Sequence, residues 1–102
     1  MQIDFKHELP EDDARVRLEA LAEYLHNRHG IRVAWIDGKA KFAGKYLVVK
    51  FEGELTLAPG MIHFRGQDPG LLWRRRAVRY LEGKLAHYLD PHVTLQELPR
   101  GL

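Results

Sequence analysis

The chain contains no cysteine and no serine, and its threonines are Thr56 and Thr94. The first absence excludes disulfides, thiolate metal sites and cysteine nucleophiles. The second leaves almost nothing from which a hydroxyl-based catalytic triad could be assembled. No apolar run approaches the ~18–20 residues that a membrane span requires. The opening stretch MQIDFKHELPEDD alternates polar and apolar residues without an apolar signal core, so the expectation is a cytoplasmic protein. The phosphate-binding glycine loops, the G-x-S-x-G elbow and the H-E-x-x-H zinc helix are missing as well. Catalytic residues and cofactors are therefore expected to be none, and the chain is not expected to be an enzyme.

What is present suits one small domain. The 102 residues are 45% hydrophobic and 29% charged, too apolar for a disordered chain and about the size of a single core. Residues 2–9 alternate strictly, with Ile3, Phe5, His7 and Leu9 on one side, which argues for a half-buried strand ended by Pro10. A helix is expected from about 12 to 29, capped by Asp12 or Asp13. Its apolar stripe runs through Ala14, Leu18, Leu21 and Leu25, and Gly30 stops it. Residues 31–66 read as a meander. Asp37-Gly38 marks a tight hairpin, Ala43-Gly44 a softer break, and Ala58-Pro59-Gly60 a type II turn. In the long run from Tyr46 to Leu57, one face carries Leu47, Val49, Phe51, Leu55 and Leu57. Gly53 shares that face, where a bulge or a closely approaching helix would explain it.

A second helix is expected from about 70 to 89, with Val78, Leu81, Leu85 and Tyr88 or Leu89 buried and Pro91 ending it. Gly83 inside this helix suggests close packing there, since glycine weakens a helix by about 1 kcal/mol relative to alanine. The order β-α-β-β-β-(β)-α predicts an α+β domain, a mostly antiparallel sheet of four to five strands with two helices on one face. Residues 1–91 form that domain. Residues 92–102 are expected as a tail, or as a short extra strand suggested by Val93 and Leu95.

The formal charge of +2 is unevenly spread. Residues 1–30 hold four basic and seven acidic side chains, whereas residues 70–90 hold five basic and two acidic ones. Histidines do not add up to a metal site. His26 and His29 stand at i, i+3, but no third ligand follows at a recognised spacing. Both are expected in solvent near the helix end, His7 at the edge of the core, and His63 on an outward strand face.

The sharpest local features lie at the start of the second helix. Arg74-Arg75-Arg76 with Arg79 makes a basic turn beside Trp73 and Tyr80, able in principle to meet phosphates. Three consecutive helical residues spread over roughly 200° or more, so Arg74 is expected to lean toward Val78 and Leu81 while Arg75 and Arg79 share a face. Immediately before it, Leu71-Leu72-Trp73 places three large apolar residues in a row. They cannot all face one core, so they are expected either on the surface against a partner or tucked under the sheet edge.

Several segments resemble the polyhydroxyalkanoic acid system family, small bacterial proteins whose genes lie in polyhydroxyalkanoate granule regions. The resemblance is carried by Asp13-Ala14-Arg15 leading through Leu21-Ala22-Glu23 to Leu25 and Gly30, and by Trp35 before a hairpin turn and Phe42. The phrase Phe51-Glu52-Gly53-Glu54-Leu55-Thr56-Leu57 and the entry at Leu71-Leu72 into a final helix continue it, over roughly residues 2–90. It implies a link to hydrophobic polymer granules or their proteins, and carries over no catalytic residue. The expected role is a non-enzymatic interaction protein acting through Leu71, Leu72, Trp73, Arg75, Arg76 and Arg79. The alternatives are a nucleic-acid-binding module using the basic helix, and a homo-oligomer, such as a dimer, paired through an exposed strand edge.

Overall fold

Alternating strands and tight turns lay down an antiparallel sheet in the computed structural model, which describes residues 1–46 and 49–102. The elements are β1 (Gln2–Lys6), α1 (Glu11–His29), β2 (Arg32–Ile36), β3 (Lys39–Tyr46), β4 (Val49–Ala58), β5 (Met61–Gly66) and α2 (Leu71–Tyr88), followed by a 3-10 turn at Leu95–Glu97. In space the strands run β1-β5-β4-β3-β2, every neighbouring pair antiparallel. Ile3, Ala40, Leu55, Ile62 and Phe64 form the sheet's share of the core, and Ala14, Leu18, Leu21, Leu25, Leu85 and Tyr88 the share of the helices. The domain is thus the expected α+β architecture.

The turns form where their residues allow. Asp37 and Gly38 both take positive φ, at 51° and 76°, the geometry that lets a two-residue loop follow the twist of β2 and β3. Gly30 ends α1 in the left-handed region at φ 67°, its N–H returning to the His26 carbonyl at 2.9 Å. The start of α1 differs from expectation. It begins at Glu11 after Pro10, with no side-chain cap, and Glu11, Asp12 and Asp13 act through their charge at the positive end of the helix dipole. The break expected at Ala43-Gly44 does not occur, because Ala43 pairs with Glu52 and Gly44 with Phe51 along an unbroken ladder. Leu47, expected on the inner face of the long run, lies outside the described residues.

Gly53 is explained by neither a bulge nor a helix. The ring of Phe64, on the adjacent strand, lies over it: a Cβ at Gly53 would stand 2.6 Å from Phe64 Cζ. Gly66, the register partner of Gly53, lies under the same ring, and a Cβ there would stand 2.9 Å from Phe64 Cε1. The ring of Phe42 stands 6.3 Å away. The paired glycines form a floor on which one aromatic residue lies flat against the sheet. Gly83 also departs from expectation, since a side chain there would meet nothing.

The two helices are joined by a buried charge. Arg17 is only 5% exposed. Its Nε donates to Asp13 Oδ1 at 3.0 Å, and its Nη1 donates to the carbonyls of Tyr88 at 3.3 Å and Asp90 at 2.9 Å. A cation on α1 thereby satisfies the carbonyls left over where α2 ends. Residues 92–102 form neither a strand nor a free tail. Leu98 is buried in the core, the Tyr88 hydroxyl donates to the Pro99 carbonyl, and Arg100 Nη1 pairs with Glu23 Oε2 at 2.8 Å. Burial raises the Tyr88 phenol to about 12, so it remains a donor throughout the physiological range.

His7 closes the β1–α1 connection at the edge of the core. Its Nδ1 accepts from the Leu9 N–H at 3.1 Å, which puts the proton of the neutral ring on Nε2. That nitrogen is buried without a partner among the described residues. Desolvation holds His7 below its ordinary value of 6.5, and desolvation with Arg28 and Lys84 does the same to His29. A second proton on either ring is thus harder to accept in the folded chain.

Three outcomes follow from these contacts. Gly53→Ala costs about 1–3 kcal/mol in chemical denaturation, because Phe64 is held by Gly66 and Phe42 and has no slack; Gly53→Ala with Phe64→Leu recovers part of the loss. Arg17→Met leaves the Tyr88 carbonyl without its donor and the Asp90 carbonyl with the Val93 N–H alone, and lowers unfolding stability by about 1–3 kcal/mol. Because unfolded histidine binds protons that His7 and His29 resist, stability is full above their unfolded value and is lost as pH falls through it. Urea midpoints decline from about pH 7.5 to about pH 5.5, and the decline shrinks in His7→Asn.

Candidate functional site

The expected surface at the start of α2 is exposed, not tucked under the sheet. Leu71 is 83% and Leu72 88% exposed. Trp73 is half-buried, and Arg75, Arg76 and Arg79 point to solvent. The reason lies in the spacing of the buried stripe. The core takes Leu85 and Tyr88 fully and Val78 and Leu81 in part, all at or beyond the second turn. The first turn therefore overhangs the sheet with no apolar partner for its leucines.

The approach to this turn is shaped by Asp68. Its Oδ1 accepts from the Gly70 N–H at 2.9 Å, an Asx turn that aims the chain into the helix, and its Oδ2 accepts from Arg74. Those donors hold the Asp68 carboxyl below the usual carboxylate range, the Arg74 hydrogen bond most of all. Gly70 takes φ 100°, and its carbonyl accepts from the N–H groups of Trp73 and Arg74 at 3.1 and 2.9 Å. Arg74 thus turns back to Asp68 and does not lie along Val78 and Leu81 as its helical position suggested. Neither contact was legible from charge alone, although Asp68-Pro69-Gly70 ahead of a helix is the local signal of such a turn.

The remaining cations are differently disposed. The Arg76 guanidinium lies over the Trp73 indole, 5.9 Å from the ring centroid. Arg75 and Arg79, one turn apart, hold no ion pair among the described residues. No acidic residue occupies the first turn of α2, so three arginines stand at the positive end of the helix dipole, where cations are disfavoured. The arrangement offers two bare leucines, an indole edge and a ring of unpaired positive charge.

Nothing comparable gathers elsewhere among the described residues. An open cleft of about 610 Å³ between the end of β1, the β4–β5 turn and the end of α2 is lined by Phe5, His7, Met61, Leu89 and Asp90 among others. Its Lys6, His7, Glu8 and Asp90 form no ion pair with one another among the described residues. No group of three metal-ligating side chains occurs among the described residues. His26 is exposed, its Nδ1 3.3 Å from the Ile31 carbonyl, whereas His29 is half-buried against Tyr80 at 3.2 Å and so less solvated than its helix position suggested. On the outward sheet face His63 pairs with Asp4 at 2.7 Å, and Glu52 and Glu54 pair with Lys50 and Lys39. No helix among the described residues is long and apolar enough to cross a membrane.

No curated protein and no solved structure matches the chain. The profile of a family of polyhydroxyalkanoic acid system proteins does match, over residues 1–93, which takes in the whole sheet and both helices. By that match, covering most of its length, the chain belongs to the polyhydroxyalkanoic acid system family.

Proposed function

We propose that the chain is a non-enzymatic interaction protein that associates in the cytoplasm with polymer storage granules, docking through Leu71, Leu72 and Trp73 with Arg75, Arg76 and Arg79 around them. Family membership supports the granule setting. The observation that carries the mode of action is the near-complete exposure of two adjacent leucines at the start of a helix. Water gains by their burial, roughly 1.5–3 kcal/mol for each leucine fully covered. An apolar inclusion can cover both without any rearrangement of the fold.

A nucleic-acid reading draws less support from the same residues. Arg74 is engaged by Asp68 and Arg76 lies on Trp73, which leaves Arg75 and Arg79 for phosphates. The leucines would stay in water.

Co-sedimentation of the purified protein with polymer granules tests the proposal. Leu71→Ser with Leu72→Ser is expected to abolish sedimentation, and Trp73→Ala to weaken it, while unfolding stability stays within about 0.5 kcal/mol because none of these side chains is in the core. Sedimentation unchanged in the double variant would overturn it.

A further inference from the structure

The connection from β5 to α2 decides which other residues share the docking end. β5 ends at Gly66, and only residues 67–70 intervene before α2 begins. The first turn of α2 therefore stands at the Gly66 end of the sheet. β3 and β4 run past that end: beyond the Gly53–Gly66 pair, the ladder continues through Ala43–Glu52, Gly44–Phe51 and Lys45–Lys50. At about 3.4 Å per residue, Lys45 and Lys50 project some 10 Å beyond the last residue of β5. Both are exposed.

These two lysines face each other across the ladder on the open side of the sheet. Like charges directly opposite destabilise a strand pair. Lys50 reaches Glu52 at 3.2 Å, and Lys45 holds no ion pair among the described residues. The hairpin and the helix thus bring cations to one end from two unrelated parts of the chain. The opposite end carries the reverse sign, with Glu11, Asp12 and Asp13 in the first turn of α1. The molecule is electrically polar along its strands.

We infer that the surface met by this end is a layer of anionic amphiphiles over an apolar phase, contacted by Lys45 and Lys50 together with Arg75 while Leu71 and Leu72 enter the apolar phase. The inference rests on the docking proposed above and adds the chemistry of the surface and two residues outside α2. Charge complementarity selects the partner. A second copy meeting this end across a two-fold axis would set the basic patch against the same basic patch. A nucleic acid would match the cations and leave the leucines wet. Anionic headgroups above hydrocarbon satisfy both, and they orient the chain with its acidic end outward.

Flotation with vesicles tests this. The full chain is mixed at low salt with vesicles of phosphatidylcholine alone, or with about a third phosphatidylglycerol, and with duplex DNA as competitor. Binding is expected to the anionic vesicles only, and to fade with added salt. Lys45→Gln with Lys50→Gln is expected to weaken it about 25-fold, near fivefold for each cation removed. Equal binding to both vesicles, indifference to the lysine pair, or displacement by DNA at the same salt would overturn the inference. Granule sedimentation that persists in any of those cases leaves the apolar docking standing, and its loss in the wild-type chain removes both.

Discussion

The guanidinium of Arg17 is the contact on which the arrangement of this fold depends. A buried cation is costly to hold unless it is paired and hydrogen-bonded, and here one bond to a carboxylate and two to carbonyls hold it. Its carboxylate partner comes from one turn earlier in the same helix, while its two carbonyl partners come from the end of the other. The consequence is directional. α2 is fastened at its last turn, by Arg17 from α1 and by the chain that follows from Leu98 to Arg100. Its beginning is left free of the core, and that freedom is what exposes Leu71 and Leu72.

The sheet contributes the second half of the same geometry. Two glycines in register give Phe64 a bare floor, and its ring fills the space between the strands and the helices. The core is thereby closed near the Gly66 end by a single residue lying flat, and the hairpin of β3 and β4 continues beyond it without having to fold back. An acidic helix start and a basic overhang then sit at opposite ends of one short barrel of contacts. Sequence charge that sums to +2 hides this, because the sum carries no direction.

Local patterns announced most of the fold. The alternation of Ile3 and Phe5, the Asp37-Gly38 turn and the stripe ending in Leu85 and Tyr88 each depend on neighbours a few residues away, and each is found where its spacing puts it. For Leu71, Leu72 and Trp73 the same reasoning left the surface and a place under the sheet edge both open, and the exposure of the two leucines decides between them. What could not be read depends on distant partners. Arg17 looked like any polar residue on a helix, because its acceptors lie some seventy positions onward. Gly53 asked for a neighbour without naming Phe64, and Gly83 asked for one that does not exist. Arg74 is turned by Asp68, a loop residue whose role shows only when the loop is folded. Lys45 and Lys50 carry no signal in the sequence, since only the register sets them opposite each other.

Gly83 has an effect beyond its empty surroundings. It divides α2 into a half held by the fully buried Leu85 and Tyr88 and a half held only by Val78 and Leu81, which are buried in part. The conformational freedom of glycine weakens the helix at that boundary. Amide exchange along α2 then follows a slope, slow near Tyr88 and fast toward Leu71, with the step at Gly83. The docking end of α2 therefore takes its order from Val78 and Leu81, packed in part against the core, and not from its own first turn.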